Sequence, residues 1–225
     1  MYWDSTILLL IPGLLLGLWA QARVKSAFEK YSKVPTQRGM SASQAVSRML
    51  SQEGAGHVRI ESTQGTLTDH FDPRTDTLRL SQGVYASSSV AALGIAAHEA
   101  GHVLQKHENY PFLALRTMMV PVVNIGSQLA WPIFFLGIIV SWEPLQIAGI
   151  VLFALVVLFS LITLPVEFDA SRRAMRMLVS TGYLTQSEEK GARAVLNAAA
   201  MTYVASFVSA LMQLVRLVLI ARRRD

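Results

Sequence analysis

The chain has 225 residues, of which 52% are hydrophobic and only 16% charged, with a formal net charge of +5. Ordinary soluble domains carry roughly 25% charged residues, so this composition excludes one. Disulfides are excluded by the lack of cysteine, and the positive balance does not indicate nucleic acid, because Lys and Arg cluster beside long apolar runs, where a membrane protein places them.

The first run, Ser5–Ala22, has no charge and is long enough to cross a bilayer. Asp4 is the only charge before it and basic residues follow it, so it reads as a retained anchor and not as a signal peptide. Arg23, Lys25, Lys30, Lys33 and Arg38 place its C-terminal end in the cytoplasm. Ser41-x-x-Gln44 reads as a capping box, with Ala45, Val46, Met49 and Leu50 as the apolar face of the helix it opens. Gly54-Ala55-Gly56 ends that helix. Val58–Glu61, Thr66–Phe71 and Thr77–Ser81 read as short strands, with a turn at Asp72-Pro73-Arg74. The last of these strands is expected to be a sheet edge that pairs with an extended substrate. A helix then runs from about Ser88 to Lys106.

The second apolar run, Phe112–Val140, contains Arg116, Asn124 and Gln128, and a stretch with Pro and Gly suited to a kink. Ser141-Trp142-Glu143-Pro144 lacks Lys and Arg and suits the outer face. Leu145–Val166 is the third run. Pro165 is expected to begin a new helix just after it, and Arg172, Arg173 and Arg176 mark a return to the cytoplasm. The fourth run, Ala194–Ala221, is weakened by Arg216; if it crosses, Arg222-Arg223-Arg224 lie outside, and otherwise it lies in the interface. The expected architecture is a mainly α membrane protein with three or four transmembrane helices and a cytoplasmic α+β domain carrying a small β-sheet. Its expected parts are an anchor at 5–22, a soluble subdomain at 23–111, a transmembrane hairpin at 112–166, a helix and loop at 167–193 and a hydrophobic helix at 194–225.

The chemistry is concentrated in His98-Glu99-Ala100-Gly101-His102, an H-E-x-x-H pattern. On a helix, His98 and His102 lie one turn apart on one face and can reach a single ion. Glu99 then stands beside an open coordination position as a general base. The preceding Val90–Ala97 is an apolar helix former that would bury the first ligand. Gly101 costs about 1 kcal/mol in a helix interior, which suggests a close approach there. The competing reading is that both histidines merely cap or pack the end of a core helix.

A catalytic zinc needs three protein ligands and one open site. Among the later candidates, Glu143 falls on the far side of the bilayer, and His107 and Glu108 follow too soon to fold back on the ion. Asp169, Glu188 and Glu189 remain, but Glu167 sits where the third run returns to the cytoplasmic face and is the preferred third ligand. Its alternative is that Glu167 and Asp169 simply favour a helix N-terminus, as acids do.

The runs "DHFDPRT", "ALGIAAHEAGH", "VPVVNIGS" and "LPVEFDASRRA" resemble the YugP-type neutral zinc metallopeptidases of bacterial membranes across nearly the whole chain. The resemblance implies a zincin-like domain, distantly similar to the HtpX and Ste24 membrane proteases, in the bacterial cytoplasmic membrane with its site facing the cytoplasm. It also implies a Zn2+ cofactor held by His98, His102 and Glu167, with Glu99 as base. Related zincins place Asp four residues after the ligand Glu to orient a histidine, and here that residue is Ser171. Either Ser171 performs this task more weakly, or Asp169 or Asp69 replaces it. His70, Tyr203 and Arg172 are candidate oxyanion donors; the alternative for His57 and His70 is an ordinary surface position. The implied partners are the lipid bilayer and a protein or peptide substrate, without nucleic acid. A zinc-containing membrane scaffold is the second functional reading, and a transporter, prompted by Arg116, Asn124 and Gln128, the third.

Overall fold

A computed structural model describes residues 5–222, so Asp4 and the Arg223-Arg224 part of the basic C-terminal cluster lie outside the described residues. It contains α1 (Ile11–Tyr31), α2 (Ala42–Gln52), β1 (Arg59–Thr63), β2 (His70–Asp72), β3 (Thr77–Ser81), α3 (Gln82–Tyr85), α4 (Val90–His107), α5 (Pro111–Ile139), α6 (Glu143–Ser180) and α7 (Gln186–Arg222). The chain divides into two compact units. One comprises Ala114–Pro165, the chain up to Ala20 and the chain from Met201; the other comprises Gln21–Leu113 and Val166–Ala200.

The first unit is built from apolar helices. Among the described residues, four helices are long and apolar enough to cross a membrane, the fourth being α7, which runs unbroken past Arg216. Small residues set the close contacts. A Cβ at Gly13 would sit 2.9 Å from Ser209 Cα, so α1 and α7 touch there at backbone distance. The Arg216 guanidinium donates to Thr6 Oγ1 at 3.4 Å. At the α5–α6 hairpin, Ser141 takes a left-handed conformation (φ 52°), and the Trp142 N–H closes the turn on the Gly137 carbonyl at 2.9 Å. The Gln146 amide donates to the same carbonyl at 3.2 Å. Asn124 and Gln128 are exposed on α5 instead of being turned into the bundle, which takes support from a polar pathway.

Pro165 does not begin a new helix. It lies inside α6, which continues from the third apolar run to Ser180. Proline forfeits one helical N–H bond, and the nearby Ser160 and Thr163 hydroxyls bond back to the carbonyls four residues earlier.

The second unit packs a three-stranded sheet and α2 to α4 against segments of α6 and α7. The Ser41 hydroxyl accepts the Gln44 N–H and caps α2 as expected, and Gly54 leaves that helix with φ 77°. Ala45, Val46, Met49 and Leu50 point into the common core, where they meet Leu93, Ala97 and Val103 of α4 and Leu178 of α6. The strand order is β1-β3-β2, with β1 parallel and β2 antiparallel to β3. Thr77–Ser81 is therefore the central strand and not an edge. Leu78 and Leu80 are fully buried, each contributing about 1.5–3 kcal/mol of apolar burial.

Candidate metal centre

The histidines are positioned by α4. Ser89 caps the helix by accepting the Ala92 N–H at 3.2 Å. Its first two turns are buried among core side chains, so its face is fixed before the motif begins. Gly101 explains the approach its sequence implied: a Cβ there would collide with the Ala170 carbonyl, so α4 and α6 meet backbone to backbone. That contact lies one residue from His102 and three from Glu167.

His98, His102 and Glu167 each offer one ligand atom, all within 4.8 Å of one another. His98 Nε2 lies 3.2 Å from Glu167 Oε2, and His102 Nε2 lies 3.7 Å from the same oxygen. Ligands about 2.0–2.1 Å from a tetrahedral zinc are separated by roughly 3.3 Å, so the donor set suits that ion in chemistry and its two histidine–carboxylate distances lie near that spacing. The imidazoles meet nearly perpendicular, at 86°. Glu167 is only 2% exposed, and an ionised carboxylate there needs positive charge beside it. Burial by itself lowers the His102 pKa, but the Glu167 hydrogen bond and the charges of Glu99 and Glu167 overrule it and leave it raised. The pocket favours a cation.

Outer contacts hold these side chains. Ser171 Oγ lies 3.1 Å from His98 Nδ1, so Ser171 contacts the first histidine of the motif. His102 Nδ1 lies 2.9 Å from Gln105 Oε1, a residue with no part in the sequence reading. Asp169 is linked to His102 through Gln105 and also holds Arg173 Nε at 2.5 Å. Asp69 is not a substitute for Ser171, because its carboxylate binds the Ser81 N–H and hydroxyl. Glu99 Oε2 accepts the Phe71 N–H of β2 at 3.1 Å, placing the outer sheet edge beside the motif.

The other named residues are not gathered here. His70 is an exposed β2 side chain whose Nδ1 lies 2.8 Å from the Thr68 carbonyl. Arg172 is largely exposed and lies 3.7 Å from Asp169. Tyr203 belongs to the first unit. His57 is exposed and neighbours His107, with ring centroids 6.4 Å apart.

This arrangement agrees with the comparison of the whole chain. Residues 6–222 match the family described as "Putative neutral zinc metallopeptidase". The chain belongs to that family. It is also 46% identical over 214 residues to "Putative membrane protease YugP" of Bacillus subtilis (strain 168), a match covering 95% of each chain. No solved structure matches it.

Proposed function

We propose that this chain is a membrane-embedded zinc metallopeptidase that hydrolyses peptide bonds in membrane-associated proteins or peptides. The observation that carries this reading is the convergence of His98, His102 and Glu167 within 4.8 Å, with Glu99 on the same helix turn. His98, His102 and Glu167 would hold the zinc, which would supply Lewis acidity towards water and the scissile carbonyl. Glu99 takes the proton of the attacking water and returns it to the leaving amine. The Phe71 N–H holds Glu99 Oε2 and leaves Oε1 for that proton.

Substrate alignment is assigned to β2, since β3 is enclosed between its neighbours. The Phe71 N–H points away from β3 towards Glu99. The carbonyl of the same residue shares that direction in an antiparallel strand and is offered to an extended peptide. The proposed location is the bacterial cytoplasmic membrane with the site facing the cytoplasm, supported by Arg23, Lys25, Lys30 and Lys33 after the first run.

The test compares the membrane proteomes of cells carrying wild type and Glu99→Gln. Accumulated precursors or uncut membrane proteins in the variant support the peptidase. A variant that cleaves at the wild-type rate returns the scaffold reading to the front.

A further inference from the structure

Gln105 lies one turn beyond His102 on α4 and is completely buried. Its amide nitrogen donates to the Val166 carbonyl at 2.8 Å and to Asp169 Oδ2 at 3.0 Å. Both partners are acceptors, and Asp169 is kept as a carboxylate by Arg173, whose guanidinium also meets Glu108 at 2.7 Å. Turning the amide over would set its oxygen against two other acceptors and lose both bonds. Its orientation is therefore fixed, with Oε1 facing His102 Nδ1 at 2.9 Å. An acceptor at that distance requires the proton to be on Nδ1. In the neutral ring, the form that a metal requires, the lone pair is then on Nε2, which faces Glu167 at the longer distance of 3.7 Å; in the protonated ring both nitrogens carry protons. Val166 and Asp169 flank Glu167 on α6, so one amide group ties both ligand helices together.

We propose that Gln105 is a positioning residue that locks His102 in its Nδ1–H tautomer and so prepares Nε2 for the metal. This rests on the zinc peptidase reading for its purpose, though not for its geometry. A free neutral imidazole prefers the opposite, Nε2–H tautomer, which blocks the ligand atom. Without the amide, His102 reverts to that preference.

The experiment is nitrogen-15 NMR of histidine-labelled, metal-free protein in detergent, above the pH at which His102 titrates, for wild type and Gln105→Met. Zinc affinity is measured on the same samples by competition with a chromophoric chelator. Wild type is expected to show His102 as Nδ1–H, and Gln105→Met to shift it towards Nε2–H with zinc binding about 10- to 100-fold weaker. An Nε2–H form in wild type overturns the proposal, even if Gln105→Met fails to fold. So does a Gln105→Met protein with unchanged tautomer and affinity. Wild type that takes up no zinc yet shows Nδ1–H would reject the peptidase reading and leave the lock standing.

Discussion

Glu99 and Glu167 are both acids near the same two histidines, but their surroundings differ, and the tasks proposed for them differ accordingly. Glu167 is buried with its oxygen between the imidazoles, while Glu99 is half-buried and held by one backbone N–H. Glu99→Gln keeps an acceptor for Phe71 and removes no ligand, so zinc content is expected to stay unchanged. Hydrolysis should fall at least about 100-fold, as measured with any substrate found to accumulate in cells. Glu167→Gln has the reverse signature: it weakens zinc binding far more than Asp169→Asn does, because Asp169 acts one contact further out. The raised pKa of His102 adds a pH dependence. In the metal-free chain, the protonated form is favoured by folding, so this stabilisation is present at low pH and lost as pH rises through the raised value. Zinc requires the neutral ring, so its apparent affinity should fall as pH drops through the same range, by about tenfold per unit for each proton displaced. A chelator-competition titration across pH measures this.

At the scale of elements, the contact of α4 with α6 decides whether the ligands meet. Gly101→Ala removes a helix-propensity penalty of about 1 kcal/mol, but its methyl group must displace the Ala170 carbonyl. Overpacking of that kind costs about 1–3 kcal/mol, so the variant should melt lower in a thermal scan and bind zinc more weakly. An unchanged melting point and affinity would contradict the close packing. Much of α4 was legible in the sequence: its apolar start, the spacing of His98 and His102, and the anomaly at Gly101 all have local causes. The approach of Glu167 to the two histidines was also legible, because it follows the third apolar run directly. The order of the strands was not. Three short segments say nothing about which lies between the others, and Thr77–Ser81 is central because it pairs on both sides. The continuity of α6 through Pro165 depends on neighbouring turns that tolerate one missing N–H, and a residue-by-residue reading treats proline as a boundary. Gln105 was hidden for a third reason: a lone glutamine near the end of a helix has no signature until its partners on α6 are placed against it.

For the whole molecule, the apolar runs and the basic clusters between them propose a membrane topology that the cysteine-free chain makes simple to test. Single cysteines at the exposed positions Glu108 and Arg176 are expected to label from the cytoplasmic side, and one at Trp142 from the opposite side. A cysteine at Arg222 labelling with Trp142 would place α7 fully across the membrane; labelling with Glu108 would place it in the interface. Opposite labelling of Glu108 and Arg176 would contradict the assignment of Glu167 to the same site as His98 and His102. The claim on which the rest depends is that these three residues hold one zinc. Elemental analysis of purified protein tests it most directly. Wild type should carry one zinc per chain and His98→Ala/His102→Ala essentially none, whereas a full complement of zinc in the double variant would contradict the site.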